Sequence, residues 1–337
     1  MTFSRNELNQ NSKGGTELTT TALQRILENS ANVSDKLDKF QIITSRVREL
    51  DENRIRVLHL HDLANDPESQ HLKDPNKRNR FHKLVFSSNW QYQQFRDYLG
   101  VPFDSQSTVI ETGVDSFRSL NTEKDRTGTV RLIYFSTPHR GLQILVPVFE
   151  ELAKNNPNVI LDVFSSFKIY GWDQRDAEFE ELYERCRQHT QINYHGFQEQ
   201  EVVREAVSKA HILAYPNIWP ETSCRTLIEA MMAGVLCVHP NFGALPDTAG
   251  GMTFQYDYVQ DINQHANIFY QALSQAVGIV QQENIQNHLK FISNYADARF
   301  SWDNIGPRWE QLIFGLYEQY KDADLSFPKP TFSFRTA

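Results

Sequence analysis

Glu221 and Glu229 stand eight positions apart in the stretch Pro216-Asn217-Ile218-Trp219-Pro220-Glu221-Thr222-Ser223-Cys224-Arg225-Thr226-Leu227-Ile228-Glu229-Ala230-Met231-Met232-Ala233-Gly234. The spacing alone carries little, since Glu310 and Glu318 share it. Context sets the first pair apart. Glu221 follows an apolar run and a proline-containing loop, just ahead of a helix start that Thr222 or Ser223 can cap. The first N–H groups of such a helix, with the positive end of its dipole, form an anion site suited to a diphosphate. Glu229 lies about two turns further in and, ionised, accepts hydrogen bonds only. Two carboxylates flanking an anion site suit sugar and ribose hydroxyls. The plainer alternative is a surface glutamate plus a helix-interior glutamate in a salt bridge.

Three other constellations could do chemistry. Ser136-Thr137-Pro138-His139-Arg140-Gly141-Leu142 falls between an apolar run and an amphipathic one. A cation at a helix N-terminus is locally unfavourable, so Arg140, with His139 beside it, is better explained if an anion shares the site. A plain surface cation is the alternative. Lys13-Gly14-Gly15-Thr16 precedes a helical pattern. Its two glycines allow a tight turn and close backbone approach to a ligand, although paired glycines also mark ordinary loops. Val57-Leu58-His59-Leu60-His61-Asp62 puts two histidines on one face of a strand. They could ligate a metal, one could sit at the strand end beside a sugar, or each could be a core histidine satisfied by backbone. No second cluster of ligands accompanies them.

These residues need strands that end beside them, and the chain supplies such a pattern. Short apolar runs alternate with longer amphipathic ones, which argues for parallel sheets flanked by helices. Strands are expected at 40–44, 55–60, 83–86, 108–110, 130–135, 159–164, 192–195, 212–215 and 235–238. Helices are expected at 17–28, 89–99, 141–154, 174–188, 199–209, 223–233, 261–277, 283–298 and 305–320. Residues 243–247 read as a turn, and 116–129, polar and without apolar periodicity, as a linker. Ligands of open α/β sheets bind beyond the carboxyl ends of strands. The loops 136–140, 165–170, 195–198, 216–222 and 239–247 would then line one face of the second domain.

The bulk numbers bound these readings. A length of 337 residues points to about two domains. The net charge of -8 and the absence of a basic stripe argue against a nucleic-acid partner; the richest basic cluster, 73–80, reads as a solvated loop. Three cysteines without a close pair argue against a disulfide framework or a cysteine zinc site and fit a reducing cytoplasm. The polar N-terminus carries no apolar signal core. The longest apolar stretches, such as 142–149, fall far short of the ~20 residues that span a bilayer. Peripheral membrane contact stays open.

The stretch from Ala214 to Gly250 resembles the signature of retaining glycosyltransferases of family 4, which have the GT-B fold. It carries Tyr215-Pro216, Glu221, Glu229-Ala230-Met231-Met232-Ala233-Gly234, the apolar run 235–238 and Gly243-Ala244-Leu245-Pro246-Asp247, with Asp247 where the family usually has Glu. Arg140-Gly141 resembles the family's phosphate-binding Lys-Gly element, and Thr137 stands near the place of a second, upstream Arg. The Gly14-Gly15 loop resembles the glycine-rich loop after the acceptor domain's first strand, of which Thr2-Phe3-Ser4 would be a stub. Residues 86–90 and 109–115 resemble the end of the first domain, and Phe300-Ser301-Trp302-Asp303 the closing segment.

The resemblance implies an α/β chain of two Rossmann-like domains facing across a cleft. The acceptor domain would span 1–117 and be smaller than usual, the linker 118–129 and the donor domain 130–300. A helix at 301–320 would cross back to the first domain, ahead of an irregular tail at 321–337. It implies transfer of a sugar from a nucleotide-diphosphate sugar to an unknown glycan or other small acceptor, with retention and without a metal or other cofactor. Glu229 would bind the ribose, and Glu221 the transferred sugar. Arg140, with Ser136 and His139 in its loop, and the backbone around Thr222, Ser223, Cys224 and Arg225 would hold the diphosphate. Gly14 and Gly15 would also take part in donor binding, and His61 would lie by the donor sugar and acceptor. The rival readings are an epimerase or phosphorylase on the same fold and a non-catalytic nucleotide-sugar or glycan-binding protein.

Overall fold

Five of the apolar runs, Phe40–Thr44, Ile55–Leu60, Lys83–Phe86, Val130–Phe135 and Val159–Phe164, are strands with the expected boundaries. The structure is a computed structural model that describes residues 2–4, 12–120, 122, 124, 125 and 128–325. Much of the polar N-terminal stretch, part of the 116–129 segment and the tail from 326 on lie outside the described residues. The chain divides into two units, Met1–Gly113 with Phe300–Ala337, and Val114–Arg299.

In the first unit β1 (Thr2–Ser4), β2 (Phe40–Thr44), β3 (Ile55–Leu60), β4 (Lys83–Phe86) and β5 (Ser107–Val109) pair in chain order, all parallel. Side chains alternate across a strand, so β2, β3 and β4 each feed two cores. Ile42, Val57 and Val85 pack with Leu23 and Leu27 of α1 (Gly15–Asn29) and with Trp302, Trp309 and Ile313 of the C-terminal helix Trp302–Tyr320. Ile43, Leu58, Leu84 and Phe86 pack on the opposite face, against Phe95 and Leu99. A short helix, α2 (Pro75–Arg78), precedes β4. Helix α3 (Asn89–Leu99) opens with Ser88 Oγ accepting from Gln91 N–H and closes on Gly100 at φ 66°.

The second unit has six strands: β6 (Val130–Phe135), β7 (Val159–Phe164), β8 (Ile192–Tyr194), β9 (Ile212–Ala214), β10 (Leu236–Pro240) and β11 (Phe254–Tyr256). Their order is β11-β10-β9-β6-β7-β8, all parallel. This is the Rossmann order, and winding reverses between β6 and β9. The five described strands of the first unit are wound in one direction, and among the described residues that unit shows no such reversal. Helices α4 (Leu142–Lys154), α5 (Glu180–Gln188), α6 (Gln200–Lys209), α7 (Arg225–Met232), α8 (Leu245–Ala249), α9 (Ile262–Ile279) and α10 (Glu283–Phe300) complete the unit.

Local departures have local causes. The helix expected over 174–188 is a 3-10 segment, Asp173–Phe179, followed by α5. Asp176 there accepts from Phe167 N–H at 2.8 Å and the Tyr183 hydroxyl at 2.9 Å, tying the segment to the loop after β7. The 243–247 turn runs into α8, whose Pro246 sits at the helix start, where no N–H is needed. The described part of 116–129 is bonded into the second unit. Ser116 Oγ donates to Asp297 at 2.5 Å, Lys124 Nζ to the carbonyls of Ser208 at 2.6 Å and Ala233 at 2.9 Å, and His211 Nε2 meets Asp125 O at 2.6 Å. At the described positions Ser116, Lys124 and Asp125, polarity marks side chains and carbonyls in use.

Candidate functional site

In a parallel sheet the crevice for a ligand opens at the reversal point, beyond the strand ends. Here that means the loops after β6 and β9, which carry Arg140 and Glu221. Two glycines let the backbones close in. Gly141 has φ 112°, and a Cβ there would stand 2.1 Å from Pro216 O. Gly243 has φ 60°, and a Cβ would meet Glu221 N at 2.7 Å. Ala244 N–H then donates to Glu221 O at 2.8 Å. The start of α7 is pinned to the end of β6 by Thr226 Oγ1, which donates to Phe135 O at 3.1 Å.

Arg140 and Glu221 meet in this framework, with Nη1 3.1 Å from Oε1. The Tyr215 hydroxyl donates to the same carboxylate at 2.8 Å. Burial opposes the charge on Arg140, but Glu221, then Tyr170 and Tyr215, outweighs it and holds the guanidinium pKa well above its ordinary value. Arg140 is therefore a fixed cation. Its loop also carries three buried polar atoms with no hydrogen-bond partner among the described residues: Thr137 Oγ1, His139 Nδ1 and Arg140 Nε. Buried polar groups are normally paired, so three in one loop mark a place shaped for a polar ligand.

His139 stacks on Phe167 (centroids 5.2 Å apart) and stands edge-on to Trp219 at 5.3 Å. Burial, with Arg140 and Arg175 adding, pulls its pKa down to about 4. It is neutral at pH 7 and adds hydrogen-bonding capacity, not positive charge. Ser136 lies beside the buried Tyr134 hydroxyl, which donates to Thr137 O at 2.8 Å and braces the loop.

Glu229 is buried inside α7. Its Oε1 receives Gln200 Nε2 at 2.9 Å, pairs with Arg225 Nε at 2.9 Å and lies 4.0 Å from Arg204 Nη1. The helix-interior salt bridge considered from the sequence is thus present. Neither Thr222 nor Ser223 caps α7. The cap is Cys224, whose sulfur accepts from Leu227 N–H at 3.4 Å, so the amides at the helix start are those of Arg225 onward. Cys224 is buried and its thiol pKa is raised by that burial. Asp247 is held by Arg299, which donates to its carbonyl at 2.8 Å and approaches its carboxylate at 3.2 Å. The shorter acid at this position has its own partner.

The remaining candidates belong to the first unit. Gly14 is the residue before α1, with φ -66°, and Gly15 is the first residue of that helix. Neither has a positive φ, so no tight turn requires them. A Cβ on Gly15 would meet nothing within 4 Å, and the helix start is open to close approach. His61 follows β3, its Nε2 3.3 Å from His59 Nδ1. Burial lowers its pKa to about 4. Among the described residues no group of three or more His, Cys, Asp or Glu could hold a metal ion.

The sequence reading missed Tyr215, Gln200, Arg204 and Arg299 as supports. Gln200 and Arg204 had a readable signal, since residues four apart on a helix share a face. Tyr215 stood in the quoted signature, but its bond to Glu221 crosses a turn that spacing does not describe.

Residues 133–251 match the family described as glycosyl transferases group 1, a span that holds Arg140, Glu221, Glu229 and Asp247. No curated protein matches the chain in sequence. Among solved structures, a glycosyltransferase from Rickettsia africae aligns at 16% identity with a TM-score of 0.66, over 93% of this chain and 84% of that one. HepE from Anabaena, in complex with UDP and glucose, aligns at 18% identity and TM-score 0.60, over 88% and 81%. A sucrose-phosphate synthase from Thermosynechococcus elongatus aligns at 14% identity and TM-score 0.60, over 95% and 81%. At these identities the likeness establishes the fold, two parallel sheets flanked by helices as in GT-B proteins. The group 1 match and the fold together support a GT-B glycosyltransferase. No helix of the described residues is long and apolar enough to cross a membrane.

Proposed function

We propose that the protein transfers a sugar from a nucleotide-diphosphate sugar to a hydroxylated acceptor with retention of anomeric configuration and without a metal. The observation that carries this reading is the β6 loop: a fixed cation, Arg140, among three buried polar atoms that lack partners, at the reversal point of a Rossmann-ordered sheet. A diphosphate supplies acceptors for Arg140 Nε and for donors on Thr137 and His139. Arg140 and the backbone from Thr222 to Arg225 then face the charge that develops as the anomeric bond loosens. Preorganised groups aimed at developing charge are usually the largest catalytic contribution. In this reading Glu221 approaches hydroxyls of the transferred sugar, and Glu229 receives the ribose on the acceptor capacity its protein partners leave. The leaving phosphate takes the acceptor's proton, and no side chain acts as nucleophile. The backbone at Gly14 and Gly15 takes part in donor binding, and His61 lies by the donor sugar and acceptor. Three free, buried cysteines fit a reducing compartment, and we place the protein in the cytoplasm.

The test is incubation with UDP-, GDP- and ADP-sugars and a panel of glycan acceptors, with the products read by NMR. A new glycoside with the donor's anomeric configuration is expected. An epimerised nucleotide sugar without acceptor, or an inverted glycoside, would overturn the reading.

A further inference from the structure

A diphosphate is multiply anionic, and the side-chain charge around the β6 loop does not match it. Arg140 is paired with the buried Glu221, Nη1 to Oε1 at 3.1 Å, so the two charges cancel. His139, with its pKa lowered to about 4, is neutral at pH 7. Arg225 faces Glu229 at 2.9 Å. The loops at the carboxyl ends of this sheet carry two further cations among the described residues, Lys168 and Arg175, and both lie between β7 and α5. Neither is paired with a carboxylate. Lys168 Nζ stands 5.7 Å from the centroid of Phe197, in the loop after β8. Arg175 Cζ stands 4.4 Å from the centroid of Phe167 and 5.4 Å from that of Trp172. No hydrogen bond or ion pair holds its guanidinium among the described residues.

The chain sets that position. Asp176 accepts from Phe167 N–H at 2.8 Å and from the Tyr183 hydroxyl at 2.9 Å, and the Ser166 hydroxyl donates to it as well. The acid next to Arg175 is thereby committed to the fold. Trp172 N–H donates to Phe167 O at 3.2 Å, and Arg175 N–H to Trp172 O at 2.9 Å. Phe167 is buried and stacks on His139, with centroids 5.2 Å apart. A single ring therefore links Arg175 to the loop that holds the unpartnered polar atoms Thr137 Oγ1, His139 Nδ1 and Arg140 Nε. Stacking covers the faces of a guanidinium and leaves its N–H edge open, and that planar fork matches a phosphate.

We propose that Arg175, carried on the Phe167 and Trp172 rings, is a second phosphate-binding residue of the donor site. A cleft lined by one sign of charge concentrates the opposite ion, and without Arg175 the side chains of the β6 loop and Glu221 offer no net positive charge. The inference rests on the donor reading of the β6 loop and names the residue that completes its charge. Lys168 is the internal control. It makes the same charge change when replaced, but its contact lies beside β8, one strand further from the reversal point than β7.

The experiment is titration of the full chain with UDP, GDP and ADP by calorimetry, and with uridine, guanosine and adenosine by saturation-transfer NMR, which reports weak binding. The proteins are wild type, Arg175→Gln, Arg175→Lys and Lys168→Gln. One base series is expected to bind the wild type. Arg175→Gln should then weaken its diphosphate roughly tenfold or more, as for loss of a hydrogen bond to a charged group, and leave its nucleoside within about twofold. Arg175→Lys should fall between Arg175→Gln and wild type, and Lys168→Gln should stay near wild type. The gap between wild type and Arg175→Gln should close in 1 M salt, where the screening length is about 3 Å. Melting temperatures should not move, because the side chain is exposed. A purely structural role would weaken nucleoside and diphosphate alike and ignore salt, and that result overturns the proposal. So does an equal loss in Lys168→Gln, which would mark a diffuse field and no contact. A wild type that binds none of the three diphosphates overturns the donor reading and this inference with it. A wild type that binds one of them no better than Arg175→Gln does overturns this inference alone.

Discussion

Replacing Arg140 with methionine separates a structural cation from a catalytic one. Its Nη1 lies 3.1 Å from Glu221 Oε1, and the Tyr215 hydroxyl holds the same carboxylate at 2.8 Å. Removing one partner of a buried pair typically costs ~3–5 kcal/mol, because the other charge stays buried. The Arg140 side chain is 23% exposed and Tyr215 still donates, so roughly 2–3 kcal/mol is expected here. In a unit of this size that lowers Tm by about 5–10 °C. Turnover should fall further than stability suggests, by ~100- to 1,000-fold, as for loss of one preorganised donor. The double variant Arg140→Met/Glu221→Gln removes both charges and should recover most of the lost stability, yet remain as inactive as the single one. Thermal unfolding and initial rates of nucleotide release, measured on both, make the comparison. A single variant with near-normal transfer, or a double variant that regains activity along with stability, would refute the catalytic role.

Other outcomes follow from the same contacts. Gly141→Ala meets Pro216 O at 2.1 Å from a left-handed backbone, and should unfold the second unit or lower its Tm more than Arg140→Met does. Stability should also fall in acid. His61, His139, His239 and His265 have pKa values lowered to about 4, and His82 to about 3, chiefly by burial. The unfolded chain, with histidines near 6.5, binds more protons in between, so stability is full above about pH 6.5 and is lost as pH falls toward 4. Fully buried His239 alone could contribute ~3 kcal/mol; urea unfolding at pH 7.5, 6, 5 and 4 would read the slope, and a flat profile would contradict it. All three thiols, buried and free, with Cys186 raised to about 11, should resist an aromatic disulfide reagent until the protein unfolds.

What was legible in the sequence follows the physics of each element. Strands buried on both faces of a parallel sheet read as near-continuous apolar runs, and Ile55–Leu60 and Val130–Phe135 stand where such runs stand. The edge strand Phe254–Tyr256 is three residues long, too short for any period to show. Arg140 and Glu221 could be picked out because their neighbours announce strand–loop–helix joints. Their mutual contact could not, because it depends on two backbones touching at Gly141 and Gly243. The capping error at Thr222 and Ser223 has a similar origin. Serine and threonine are strong caps by type, but the chain turns into α7 only at Cys224, and a weaker sulfur acceptor does the work. Asp247 looked like a defect in the signature, and the partner that answers it, Arg299, lies 52 residues away.

The account stands on a nucleotide diphosphate settling in the β6 and β9 loops of the second unit. Calorimetric or fluorescence melting with UDP-, GDP- and ADP-sugars, on wild type and Glu229→Ala, measures that directly. A ligand at a hundred times its dissociation constant stabilises by about 2.7 kcal/mol, so one base series should raise the wild-type Tm by roughly 5–10 °C and leave Glu229→Ala little changed at the same concentration. A wild type that no nucleotide sugar stabilises, or a Glu229→Ala protein stabilised as much as the wild type, would contradict it.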